Sequence, residues 1–257
     1  MRNPFIRPKK MNWHHGKLQI DAVVKYPSDK KFQDKYLIGT SLLLKHKDKL
    51  LESGDIHYQN FISSYERIMT YSMLDYDRAY ILYQVAKSTQ NLDGCTAECG
   101  VYRGGTSAMI ASLSPEKRHY ALDTFEGMPD TITSVDNHKQ GDLSVKSRET
   151  LKVLSRIPNI KMLKGKFLST FGHIKHQQFS FVYIDADLYL STLECCDFFF
   201  PRMVSGGIML FDDYLVDDTR GVKKAVDEYF KKQDIIPIVL PTSQAIVYKL
   251  AYAPFYQ

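Results

Sequence analysis

The chain has 257 residues, 44% of them hydrophobic, and a formal net charge of +5. That length and apolar content suit one α/β domain with a complete core and an appendage, and exclude neither enzyme nor binding module. No apolar run reaches the roughly 18–20 residues of a membrane-spanning helix, so none is expected.

The chain opens on a basic stretch. Residues 1–50 hold 12 Lys/Arg against 4 Asp/Glu, and the remainder holds 22 against 25. A basic, partly ordered arm over 1–54 thus precedes a domain over 55–257. The arm reads as a solvated tail, with contact to an anionic surface as the sharper alternative. Nothing in it resembles an RNA-binding motif, and no nucleic acid is expected. No apolar core of a secretory leader follows the first basic residues. Cys95, Cys99, Cys195 and Cys196 form no CxxC pair and no disulfide framework. They read as reduced core thiols of a cytoplasmic protein.

From about Asp55 to Gln90 the apolar spacing becomes helical, with "DRAYILYQVAKSTQ" opening at Asp77. Strand candidates then alternate with helical stretches: "CTAECGV", "HYALDTF", "IKMLKGKF", "FSFVYIDAD" and "GGIMLFDD". Helix-length crossovers between strands imply a doubly wound, mostly parallel sheet. The last two candidates, "IIPIVLP" and "AIVYKLA", are joined by too few residues for a crossover and should form an antiparallel hairpin. Residues 126–147 are a long polar segment, the kind of loop that often serves as a lid. Inside it, His138 reads as an exposed loop residue, with substrate contact as the alternative.

Three features carry chemistry. "AECGVYRGGTS", Ala97 to Ser107, follows a strand and opens a helix; Gly100, Gly104 and Gly105 let backbone approach a ligand or make a tight turn. Asp123 ends the next strand, where an acid can hold ribose hydroxyls. Asp185 and Asp187 share a face if the strand stays extended, and Asp212 and Asp213 close a second apolar run at the same rim. Clustered carboxylates repel unless a hard cation sits among them, and oxygen-only ligands suit Mg²⁺. Helix capping is the plainer reading, but two consecutive acid pairs fit it poorly.

The segments "AECGVYRGGTS", "ALDTFEGMP", "VYIDADLYLST", "GGIMLFDDY" and "RGVKKAVDEYF" resemble, in order, those of the macrocin O-methyltransferase (TylF-like) family. The likeness runs from about Glu66 to Leu250. It implies a class I, Rossmann-like S-adenosylmethionine (SAM) methyltransferase fold with a seven-stranded sheet, and O-methylation of sugar hydroxyls with SAM and Mg²⁺. By position it implies Glu98, Gly100, Gly104 and Asp123 at SAM. It also implies Asp185, Asp212 and Asp213 on the metal, with Asp187 as general base. The acceptor would be a sugar on a glycan, nucleotide or natural product; a homo-oligomer is left open. The competing readings are methylation of a catechol-like diol and a non-catalytic SAM- or nucleotide-binding module.

Overall fold

A computed structural model describes residues 54–250 except Met69 and Lys146, together with Lys49 and Glu52. The basic arm thus lies almost wholly outside the described residues. Helices α1 (Ile56–Ile68) and α2 (Tyr76–Ser88) open the described chain. They meet through buried Tyr58, Phe61, Tyr76 and Tyr83, with the Tyr58 and Tyr76 hydroxyls 2.8 Å apart. The start of α2 differs from the sequence expectation. Its cap is Asp75, whose carboxylate accepts the Arg78 backbone N–H at 3.0 Å. Asp77 falls in the first turn and is buried; burial and neighbouring Asp75 push its carboxyl up to about 7.

Strands and helices then alternate: β1 (Cys95–Cys99), α3 (Gly105–Leu113), β2 (His119–Asp123), α4 (Ser147–Leu154), β3 (Ile160–Lys164), α5 (Phe167–Phe171) and β4 (Phe179–Ile184). After them come α6 (Tyr189–Phe199), β5 (Met203–Phe211), α7 (Arg220–Lys231), β6 (Ile238–Val239) and β7 (Ala245–Tyr248). One seven-stranded sheet results, in the order β3-β2-β1-β4-β5-β7-β6. β1 to β5 pair in parallel, while β7 is antiparallel to both β5 and β6. The terminal hairpin is therefore present, and it feeds its second strand against β5. Among the described residues no helix is long and apolar enough to cross a membrane.

Period-two alternation explains how the sheet is covered. All six residues of β4 are buried. Phe181 and Tyr183 pack with Leu82 and Ala86 of α2 and Ile110 of α3. Val182 and Ile184 face the other way, into a core with Cys195, Phe199, Val226 and Phe230 from α6 and α7. A strand buried on both faces is what a doubly wound sheet demands of its centre. The four cysteines are unpaired thiols, three of them buried.

The register fixes the rim. Cys99 pairs with Leu122 and Ile184, and Ile184 pairs with Phe211. One step further the ladder continues: Gly100 N–H donates to the Leu122 carbonyl at 3.0 Å, Asp185 N–H to Cys99 at 2.8 Å, and Asp212 N–H to Ile184 at 2.8 Å. Asp123, Gly100, Asp185 and Asp212 thus form a single row across four strand ends.

Candidate active site

A cavity of about 580 Å³ lies over that row. Gly100, Val101, Tyr102 and Asp123 line one side of it; Asp185, Asp187, Asp212 and Asp213 line another. Open α/β sheets bind ligands outside the carboxyl ends of their strands, and this cavity sits there.

On the first side, Asp123 organises the glycine-rich turn. Its Oδ2 accepts the Val101 and Tyr102 backbone N–H groups at 2.7 and 2.9 Å, and its Oδ1 accepts Phe125 N–H at 2.6 Å. The carboxylate remains on the cavity wall with further lone pairs to offer. The glycines make the tight turn that was one of the two expectations for them, and Gly100 also lines the cavity. Gly100 (φ +90°) packs on protein: a Cβ there would lie 1.8 Å from the Asp185 carbonyl oxygen. Gly104 (φ +87°) caps α3 and faces Leu154 and Thr150, off the cavity wall.

Glu98 is also not in the wall. It is fully buried beneath the turn and accepts hydrogen bonds from the hydroxyls of Thr106 and Ser107 at the start of α3. Burial pushes its carboxyl up to about 8, against the pull of those two hydroxyls. Below it the His119 ring bridges Ser107 Oγ at 3.2 Å and Thr96 Oγ1 at 2.9 Å. Burial holds this imidazole neutral, down to about 3. Glu98 therefore ties β1, β2 and the first turn of α3 together, and Thr106, one of its donors, reaches the cavity.

On the second side, one carboxylate oxygen each from Asp185, Asp187 and Asp213 lie within 4.8 Å of one another. Strand alternation is not the reason. β4 ends at Ile184, and the chain turns at once, with Leu188 N–H closing on the Ala186 carbonyl at 2.7 Å. Asp187 takes φ +58° and Asp213 φ +54°, left-handed conformations that cost energy in residues other than glycine. Strain of this kind at a cluster of charged groups is a mark of function. Asp185 has its carboxyl raised well above the usual range by burial, then by Asp212, Asp187 and Asp213.

Asp212 stands just behind this group. It is buried, and its Oδ2 accepts Arg78 Nη1 at 3.0 Å. Its Oδ1 is also buried and has no hydrogen-bond partner. Burial raises its carboxyl to about 6, while Arg78 opposes the rise. The Gln244 amide lies close enough to favour the charged carboxylate, yet makes no well-formed hydrogen bond with it. An orphaned buried oxygen beside three converging carboxylates, all hard donors, fits a divalent cation.

Arg78 is the functional-looking residue that the sequence reading missed. Asp136 is another. It sits in the middle of the polar segment, is buried, and accepts the Ile132 and Tyr189 backbone N–H groups at 2.8 and 2.9 Å. Arg220 grips the same segment through the Val135 carbonyl at 3.1 Å. The segment is thus an anchored strap whose Met128, Pro129, His138 and Leu143 wall the cavity. Tyr71, Met73, Leu168 and Leu190 add exposed apolar surface to that wall.

The sequence profile of the macrocin-O-methyltransferase (TylF) family matches residues 66–248. The chain belongs to this family. It is similar to the 8-demethyl-8-(2,3-dimethoxy-alpha-L-rhamnosyl)-tetracenomycin-C 4'-O-methyltransferase of Streptomyces olivaceus, 28% identical over 155 residues, 53% of this chain and 58% of the relative. It is also similar to the demethyldecarbamoylnovobiocin O-methyltransferase of Streptomyces niveus, 25% identical over 175 residues, 62% of this chain and 66% of the relative. The match spans less than two thirds of the length of either relative. Among solved structures, the O-methyltransferase NovP superposes with a TM-score of 0.60 at 22% identity, over 71% of this chain and 83% of that one. The calicheamicin methyltransferase CalS11 gives 0.58 at 18% identity, over 78% and 89%. The TylF-family chain has the class I SAM-methyltransferase fold, closed by its antiparallel hairpin.

Proposed function

We propose that this chain is an O-methyltransferase that uses SAM and Mg²⁺ to methylate a sugar hydroxyl, on a glycan, a nucleotide sugar or a glycosylated natural product. The observation that carries the reading is the joint one: a single cavity has a ribose-binding type of acid, Asp123, on one side and three converging carboxylates on another. Membership of the TylF family and the rhamnosyl-bearing substrate named for one relative support it.

When bound, SAM supplies the methyl group and Mg²⁺ polarises and orients adjacent hydroxyls. Asp123 keeps acceptor capacity for ribose hydroxyls. Asp185, Asp212 and Asp213 are the residues proposed to hold the cation. Asp187 is proposed to take the proton from the acceptor hydroxyl. Gly100 and Gly104 shape the turn at the cofactor side, and Glu98 acts there through the α3 hydroxyls. The strap around Asp136 lines the same cavity as the acids and is proposed to hold the acceptor in place, which serves positioning above all.

The test is SAM turnover against a panel of nucleotide sugars, glycosides and catechols, with Mg²⁺ or with EDTA. Methylation of a sugar bearing neighbouring hydroxyls, lost in EDTA and restored by Mg²⁺, is the expected result. Full rate in chelator would remove the metal from the reading, and turnover on catechols alone would move the acceptor class.

A further inference from the structure

Arg78 is 8% exposed and reaches the cavity wall from α2. Its Nη1 donates to Asp212 Oδ2 at 3.0 Å and also to Asp213 Oδ1. Its Nε donates to the Thr242 carbonyl at 3.1 Å and lies 3.5 Å from Asp75 Oδ2. These partners come from three places in the fold: the end of β5, the turn between β6 and β7, and the cap of α2. A guanidinium is planar and permanently charged, with its donors in a fixed fork. Held from three sides, it is a fixed point to which the acid pair is tied.

The consequence concerns oxygen atoms. Asp212 and Asp213 each give one oxygen to Arg78. Asp212 is left with its buried, unpartnered Oδ1, and Asp213 joins Asp185 and Asp187. A carboxylate with one oxygen tied in this way presents the other singly. Mg²⁺ is small, octahedral and served by single oxygens and waters. Ca²⁺ takes about six to eight oxygens at longer range and accepts carboxylates through both at once.

We propose that Arg78 is a positioning residue of the cation site, which fixes Asp212 and Asp213 as single-oxygen donors and so selects a small octahedral cation over a large one. The inference rests on the reading of these acids as a cation site. It adds a selectivity device supplied by a side chain that is tied to two of the proposed ligands and is not itself an oxygen donor.

The experiment is calorimetric titration of the full chain with Mg²⁺ and with Ca²⁺, without SAM or acceptor, for wild type, Arg78→Lys and Arg78→Met. Lysine keeps the charge, but its single rotatable ammonium lacks the second, rigidly linked nitrogen through which Thr242 fixes the donor that serves both acids. Wild type should favour Mg²⁺. In Arg78→Lys the affinity ratio should move toward Ca²⁺ by roughly tenfold, the free-energy scale of about one ordinary interaction. Arg78→Met should move it at least as far. Where one variant loses its cooperative melt, the other carries the comparison. A ratio unchanged from wild type, with both affinities scaled together, would leave Arg78 as bulk charge and overturn the inference. Wild type that binds neither ion would instead bring down the cation reading beneath it.

Discussion

Asp187 is where geometry and resemblance pull hardest against each other. It sits in the same group as Asp185 and Asp213, close enough to share a cation, while the resemblance to the family motif is the ground for proposing it as the base. Asp187→Asn is expected to keep affinity for S-adenosylhomocysteine (SAH) and near-normal Mg²⁺ dependence while kcat falls by roughly 10²–10⁴, the range for a positioned general base. Asp185→Asn should instead raise the Mg²⁺ concentration needed for half-maximal rate. Rates measured against Mg²⁺ for both variants decide the matter: if Asp187→Asn moves only the Mg²⁺ requirement, it is a ligand. Glu98 offers a cleaner test of burial. Its folded pKa of about 8 lies above the usual carboxyl range. A raised carboxyl pKa stabilises the fold fully at low pH, and that stability is lost as pH climbs from about 4.5 through 8. The melting temperature of wild type should therefore fall relative to Glu98→Gln across that window and run parallel to it above. Parallel curves throughout would mean that Glu98 is already ionised in the fold. The acids were legible in sequence because each pair closes a local apolar run. Arg78 was not, because its acid partners are 134 and 135 residues away and its neighbours Asp75 and Asp77 suggest ordinary helix-end charge pairing.

Elements show why the glycine turn cannot be varied freely. Gly100 and Gly141 both hold positive φ, but a Cβ at Gly141 meets nothing within 4 Å, whereas at Gly100 it strikes the Asp185 carbonyl. Gly141→Ala should cost only about 1–2 kcal/mol, the ordinary left-handed penalty. Gly100→Ala should cost several times more, since neither backbone can retreat without breaking the ladder. Urea unfolding of the two variants checks this; equal costs would show that the rim gives way easily. The strap makes a second prediction. Asp136→Ala removes the acceptor of two part-buried backbone N–H groups, a loss of about 1 kcal/mol for each. Limited proteolysis should cut residues 126–145 faster in this variant, and unchanged protection would mean that its other ties, such as Arg220 to Val135, Asn137 to Asp217 and Lys166 to Asp130, suffice to anchor the segment. Strand and helix alternation was readable because period-two and period-3.6 apolar patterns are local. The strap was readable only as a polar stretch, since Asp136 finds Tyr189 through tertiary packing that no periodicity encodes. The same limit applies to Asp187, where a sharp turn replaces the extended strand that alternation assumed.

At the scale of the whole molecule the two halves of the cavity share one support. SAH should raise the melting temperature by mass action on the folded state. Asp123→Ala should weaken that binding by about 1–3 kcal/mol, because the Val101 and Tyr102 N–H groups lose their acceptor along with any ribose contact. NAD binding in place of SAH would retain the fold and discard the chemistry. The sheet order was legible up to the hairpin because crossover lengths dictate parallel pairing and a short connection forbids it. The hairpin's second task was not: its turn also supplies the Thr242 carbonyl to Arg78. The row of Asp123, Gly100, Asp185 and Asp212 has one more meaning. Adjacent strands in any sheet lie about 4.8 Å apart, so three steps set the span from Asp123 to Asp212 at roughly 14 Å. That length is a ruler engraved in backbone hydrogen bonds. Loops above it can grow, shrink or change composition and recruit a different acceptor, while the reach from one end of the gauge to the other stays the same.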